Sequence, residues 1–460
     1  MSEQAGLDGE SPTPRARRLW LKHPLAILAD GADGGIVVAD GRIVELVPAG
    51  ASPKTHVDET FDASRHVVLP GLINTHHHFY QTLTRAHPTA MDKELFPWLQ
   101  SLYPIWGRLD ADSLRLAARL ALTELLMSGC TTAADHHYLF PEGLDEAIDI
   151  EVEEANALGI RVTLTRGSMD LSQRDGGLPP DHVVQDADTI LADSERLIAK
   201  YHDRSGASMV QIALAPCSPF SATKRLMRET AELAEKHDCR LHTHLGETED
   251  ENRFCEETFG CRPLDYLEEV GWLGPRTWLA HGIHFTTEEC RKLGRHKVGV
   301  CHCPGSNAVL ASGFCPVREL TEAGAPVGLG VDGSASNDGS NMIAELRSAL
   351  MVQRLSQRSA AAFTARDAIA LATTGSAACL GRLELGRIAI GAQADLALFT
   401  LDELRFSGAH DPIAALVLCG AQGADRVMIA GRWRVAGGMP VGIDLEALRE
   451  AHGRAALRFR

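Results

Sequence analysis

The sequence contains no long hydrophobic run and no concentration of positive charge. Nowhere do roughly 18 consecutive apolar residues occur, the least a membrane-crossing helix requires. No Lys/Arg-rich stretch interrupts a chain with 45 basic and 61 acidic residues and a net charge of −16. That balance excludes phosphate-backbone binding as a leading function and leaves no nucleic-acid partner to expect. The first twenty residues are polar and Pro-interrupted and lack the apolar centre of a secretory signal. The 11 cysteines are odd in number and follow no repeat, so reduced thiols in a cytoplasmic protein are expected rather than a disulfide framework. No Gly-rich dinucleotide fingerprint follows a strand-like run, which weakens a doubly wound open sheet. Internal repeats and low-complexity tracts are also missing.

What is present is ordinary globular composition, 45% hydrophobic and 23% charged, over 460 residues. That length suggests two or three domains, or one large one with an appendage. Residues 1–19 read as a loose tail. From Trp20 to Val68 the pattern is short β-like runs, with the hairpin signal Asp40-Gly41 between two of them. The C-terminal stretch is similar, with Asp395–Phe399, Ala415–Leu418 and Arg426–Ala430 read as strands. Residues 20–68 and 385–460 are therefore expected to share one β-sandwich domain.

Between them, over 69–384, apolar runs alternate with helical patterns. The runs are His66–Ile73, Thr131–Asp135, Arg161–Leu164, Val210–Ala215, Arg240–His244, Thr277–His281, Lys297–His302 and Val327–Asp332. The clearest helix places Leu114, Ala117, Ala118, Ala121, Leu122 and Leu125 on one apolar stripe. Eight strand–helix units predict a closed (β/α)8 barrel, whose chemistry sits at the C-terminal strand ends.

The first run leads into Asn74-Thr75-His76-His77-His78. Side chains alternate along an extended chain, so His76 and His78 share a face, as a divalent metal needs, although a polar loop would read the same way. His242 and His244 share a face at the end of the fifth run, with Glu247 on the turn after it. The sixth run ends in His281 and the eighth in Asp332. Each residue alone is weak evidence; converging on one barrel mouth, they predict a mononuclear metal site. Cys301-His302-Cys303 looks metal-like but continues an apolar stretch and reads better as a small buried strand.

The series Pro70–Ile73-Asn74-Thr75-His76-x-His78, His244-x-x-Glu247, Ala280-His281, His302-Cys303-Pro304-x-Ser306-Asn307 and Gly330-Val331-Asp332 resembles the amidohydrolase superfamily. Within it, the branch of nucleobase deaminases and triazine hydrolases is the most similar. The resemblance implies a distorted barrel, a β-sandwich from both termini, and one divalent metal per chain, Zn²⁺ first and Fe²⁺ second. It assigns His76, His78, His244 and Asp332 as ligands, with Glu247, His281 and Asp332 catalytic. It implies hydrolytic deamination of a small aminopurine, with 8-oxoguanine to urate plus ammonia as the leading reaction. Guanine deamination and displacement of chloride or alkylamine from a triazine are the alternatives. A homo-oligomer is expected on the same ground.

For the substrate contacts, Gln81 matches the place where related guanine deaminases hold the purine edge, though alone it reads as a solvated loop residue. Cys217, in Ala215-Pro216-Cys217, departs from the Pro-Arg of those enzymes and leaves room for a differently hydrogen-bonded ring. Alone it reads as core packing. The loop Leu95–Trp106 carries Phe96, Trp98, Tyr103 and Trp106 and reads equally as a stacking lid or a hydrophobic plug. Trp106 is included among the candidate substrate contacts. His136, His137 and His284 lie near strand ends and could stand behind the ligands.

Overall fold

The protein is described here by a computed structural model covering residues 17–460, so most of the expected N-terminal tail lies outside the described residues. Strands begin at once with β1 (Leu19–Lys22), β2 (Ala26–Ile27), β3 (Gly35–Ala39), β4 (Arg42–Val47) and β5 (Glu59–Asp62). The β3–β4 turn is Asp40-Gly41, with φ of 50° and 73°, the left-handed pair that a tight hairpin demands. Four of these strands form a sheet in the order β4–β3–β1–β5.

The apolar run His66–Ile73 serves two sheets. It breaks at Gly71 into β6 (His66–Pro70) and β7 (Leu72–Asn74). A Cβ at position 71 would lie 2.1 Å from Thr131 Oγ1, so only glycine lets the chain pass from one sheet to the other. From β7 the chain runs through helix α1 (Leu95–Trp106), helix α2 (Ala111–Met127), β8 (Cys130–His137), α3 (Ala147–Leu158), β9 (Arg161–Ser168), α4 (Ala187–Tyr201), β10 (Val210–Pro216) and α5 (Lys224–His237). Strands β11 (Arg240–Leu245), β12 (Thr277–His281), β13 (Gly299–His302) and β14 (Val327–Leu329) follow. β7 to β14 pair in sequence order, parallel throughout. β14 returns to β7 by little more than the Thr75 N–H bond to the Leu329 carbonyl at 3.0 Å. This is the distorted (β/α)8 barrel that the alternation predicts.

The α2 stripe Leu114, Ala117, Ala118, Ala121, Leu122 and Leu125 is fully buried against the barrel. Asp110 starts that helix with a reciprocal cap to Ser113. The last strands are β15 (Leu396–Thr400), β16 (Arg426–Ile429), β17 (Arg432–Ala436) and β18 (Met439–Pro440). They join the N-terminal strands in the order β18–β17–β16–β15–β6–β2, so both chain ends meet in one sheet.

Two sequence expectations fail here. Residues 415–418 are helical, within Pro412–Leu418, because Asp411 caps the backbone N–H groups of Ile413 and Ala414 and Pro412 opens the first turn. Residues 95–106 form a helix rather than a loop, despite Pro104 inside it. Among the described residues no helix is long and apolar enough to cross a membrane.

Candidate active site

Four side chains converge where the barrel strands end. His76 and His78 extend from β7, His244 stands near the end of β11, and Asp332 follows β14. His76 Nε2 and His78 Nε2 lie 3.3 and 3.4 Å from Asp332 Oδ1, and His244 Nε2 lies 3.3 Å from His78 Nε2. Each imidazole is fixed from behind. His78 Nδ1–H donates to the His136 carbonyl at 2.7 Å, and His244 Nδ1–H to the Cys217 carbonyl at 2.7 Å. His242 Nδ1–H donates to the Trp278 carbonyl at 2.8 Å, leaving its Nε2 to accept His76 Nδ1–H, also at 2.8 Å. These bonds set the tautomers, so three Nε2 lone pairs face one point beside a carboxylate. His76 Nε2 is buried with no hydrogen-bond partner. Burial holds all three rings below the ordinary imidazole pKa, hence neutral. Three neutral imidazoles and one carboxylate at these spacings fit a tetrahedral divalent cation.

Glu247 and His281 stand beside this group. Their side chains approach to 3.6 Å, and His281 Nε2 lies 3.8 Å from Asp332 Oδ2. Burial pushes the Glu247 carboxyl up to about 7; nearby Asp332 adds to the effect and His281 opposes it. Burial disfavours the His281 imidazolium, but Glu247 and Asp332 outweigh it and raise its pKa. Asn307 Oδ1 accepts His281 Nδ1–H at 3.0 Å and aims Nε2 at the site. His281 and Asp332 both hold left-handed backbone, at φ 70° and 66°, strain that a fold retains mainly at working sites.

A cavity of about 30 Å³ lies over the group, lined by Gln81, Leu95, Trp98, Leu99, Tyr103, Tyr138, Cys217 and Glu247 among others. Gln81 Oε1 accepts the Ala335 N–H at 3.3 Å. A Cβ at Gly333 would lie 2.0 Å from that oxygen, so glycine is required for Gln81 to sit there. Burial pushes the Cys217 thiol up to about 12, so it faces the cavity protonated.

Trp106 does not line this cavity. Its ring packs against those of Tyr80 and Trp98, and its indole N–H donates to Thr84 Oγ1 at 3.0 Å. Trp98 and Tyr103 supply the aromatic wall instead. His136 packs against the ligand-like rings, 4.8 Å from the His244 ring. His137 belongs to a different cluster, described below. His284 is tied to Glu249 and the Ser312 carbonyl. Cys301 and Cys303 are buried 3.6 Å apart, within and just after β13, as a strand reading expects. Sequence reasoning left Asn307 and Tyr138 without a role, although Asn307 lies in the Pro304-x-Ser306-Asn307 motif; His242 and Tyr103 it placed at the barrel mouth and in the aromatic segment without their particular contacts.

The chain belongs to the amidohydrolase family, a metal-dependent family whose profile matches residues 67–434. It is 62% identical to 8-oxoguanine deaminase of Pseudomonas aeruginosa over 95% of this chain and 98% of that protein. It is 37% identical to isoxanthopterin deaminase of an unknown prokaryotic organism, over 84% of each chain. Among solved structures, atrazine chlorohydrolase from Arthrobacter aurescens complexed with zinc superposes with a TM-score of 0.90. That match has 32% identity and covers 95% of this chain and 100% of the other.

Proposed function

We propose that this enzyme deaminates an aminopurine hydrolytically, with 8-oxoguanine as substrate and urate and ammonia as products. The observation that supports it most is 62% identity over nearly the whole chain to a protein of that activity. His76, His78, His244 and Asp332 hold one divalent cation, zinc by preference, since three imidazoles and a carboxylate suit it and a structural relative carries zinc. When bound, the cation supplies the Lewis acidity that makes water nucleophilic near neutral pH.

The chain's own groups handle the protons. Asp332 Oδ2 takes a proton from the attacking water. Glu247, protonated below about pH 7, delivers one to the ring nitrogen beside the amine-bearing carbon, so that electron density leaves that carbon. His281 Nε2 hydrogen-bonds the attacking oxygen as charge develops on it. The proton on Asp332 then passes to the exocyclic amine, which departs as ammonia, and the remaining O–H proton returns to Glu247 as the product carbonyl forms. Gln81 and Cys217 hold the purine edge, with Trp98 and Tyr103 against its face. The substrate binds within a homo-oligomer of a cytoplasmic enzyme.

The deciding experiment is ammonia release from zinc-loaded protein offered 8-oxoguanine, guanine and a chlorotriazine side by side. The reading requires 8-oxoguanine to lead by at least tenfold in kcat/KM. A lead for guanine moves the specificity away from Cys217, and release of chloride without ammonia replaces the reading with triazine hydrolysis.

A further inference from the structure

Asp135, His137 and Glu151 form a second converging group, on β8 and α3, outside the site just described. The His137 and Glu151 side chains are fully enclosed, and Asp135 is 1% exposed. His137 Nε2–H donates to the Leu139 carbonyl at 2.7 Å, which leaves a lone pair on Nδ1. That atom points into the cluster, 3.2 Å from Glu151 Oε1. It has no hydrogen-bond partner; neither do Asp135 Oδ2 or either oxygen of Glu151. Three electron-rich groups, with ligand atoms all within 4.8 Å of one another, thus face each other, and as carboxylates and a neutral imidazole they carry no donor between them. The neighbouring Arg166 guanidinium is turned elsewhere, to Asp193, Gln185 and the Gly167 carbonyl.

Such an arrangement in a water-free interior costs several kcal/mol unless something positive occupies it. We propose that Asp135, His137 and Glu151 bind a second divalent transition cation, one nitrogen and two carboxylates closing around it. Two carboxylates balance a double positive charge, so the occupied cluster is neutral. The closest approach in the cluster, 3.2 Å between His137 Nδ1 and Glu151 Oε1, is near the 3.3 to 3.4 Å between lone-pair atoms of the first site. Edges of about 3.3 Å are what a tetrahedral ion with bonds near 2.0 Å imposes. A proton is the rival occupant, shared between the Asp135 and Glu151 carboxyls, which burial, and for Asp135 the nearby Glu151 charge, hold above the ordinary carboxylate range. It would leave His137 Nδ1 unserved, because the 3.2 Å contact of that atom with Glu151 lies outside hydrogen-bond geometry.

The position gives the ion a purpose. Asp135 Oδ1 accepts the Phe79 N–H at 2.7 Å, and the His136 carbonyl accepts His78 Nδ1–H. The cluster therefore braces Phe79, next to His78, and through β8 the His78 ring itself, and an ion within it stiffens one arm of the first site.

The test is metal counting on protein loaded with zinc and freed of excess, together with anomalous diffraction at the zinc edge. Two ions per chain are expected, with one anomalous peak among Asp135, His137 and Glu151. Glu151→Gln should retain one ion, at His76, His78, His244 and Asp332. A single ion in the wild-type protein, with no peak at the cluster, overturns the proposal in favour of a protonated carboxyl. Two ions retained by Glu151→Gln overturn it as well. If that variant does not fold, the wild-type anomalous map decides alone.

Discussion

Glu247 combines two properties that a proton carrier needs: a place beside the reacting centre and a pKa moved to about 7 by burial. Replacing it by Gln keeps the volume and removes the proton. Deamination should fall by about 10²–10⁴-fold while bound metal stays unchanged; a variant with near wild-type turnover and full metal content would falsify the shuttle. The sign of its pH effect follows. The acid form is the donor, and it is lost as pH rises through about 7, so kcat/KM should fall tenfold per pH unit beyond that point. A profile flat from pH 6 to 9 removes Glu247 as donor. His242 acts one layer lower, by orienting His76. His242→Ala should weaken metal binding by about 10–100-fold in a chelator competition, and unchanged affinity would make the contact incidental.

At the scale of elements, barrel strands were legible because short apolar runs alternate with helical patterns, and several of the runs end in a histidine or aspartate. The alternation rule also correctly placed His242 and His244 on one face. It is silent on depth. Two residues along a strand is roughly 6–7 Å, so His242 supports His76 from beneath instead of joining the ligands. Residues 95–106 misled for another reason: prolines at 97 and 104 and many aromatics look like a loop until the stripe Leu95, Trp98, Leu99, Leu102 and Tyr103 is seen buried. Pro97 falls in the first turn, where it is tolerated. The helix matters to turnover. Leu95, Trp98, Leu99 and Tyr103 of α1 line the cavity over the metal-ligand group, so a purine bound there packs against α1, and α1 is the segment expected to open for its entry. Hydrogen exchange should show α1 amides opening faster than those of α2 in the free enzyme and slowing when a purine inhibitor binds. Equal, ligand-independent protection of both helices would assign entry to another segment.

Across the whole molecule, the barrel is tied to the terminal sheet by a buried ion pair. Arg161 at the start of β9 gives two bonds to Asp395 just before β15, at 2.6 and 3.3 Å, and others to the Ala207 and Ser208 carbonyls. Asp395→Ala leaves that guanidinium enclosed without its counter-charge, at a cost of about 3–5 kcal/mol. Denaturant unfolding should show that loss, and a variant within 1 kcal/mol of wild type would mean that the backbone carbonyls suffice. Composition announced none of this: Arg161 and Asp395 are ordinary residues until the fold encloses them. The joining of both termini in one sheet was legible, because β-like runs flank the barrel pattern at each end; that most N-terminal strands also form a sheet of their own was not.

That joining also sets a clock on synthesis. Val68 in β6 pairs with Leu398 in β15, and β6 is the strand from which the chain steps, through Gly71, towards His76 and His78. At about 5–20 residues per second, a ribosome delivers β15 tens of seconds after β6. Through that interval the edge of β6 that faces β15 stays open, and the arm bearing the first two histidines is held on its N-terminal side by the short β2 alone. Newly made chains are therefore most exposed to aggregation until β15 emerges, and the arm that carries His76 and His78 is fully held only after that.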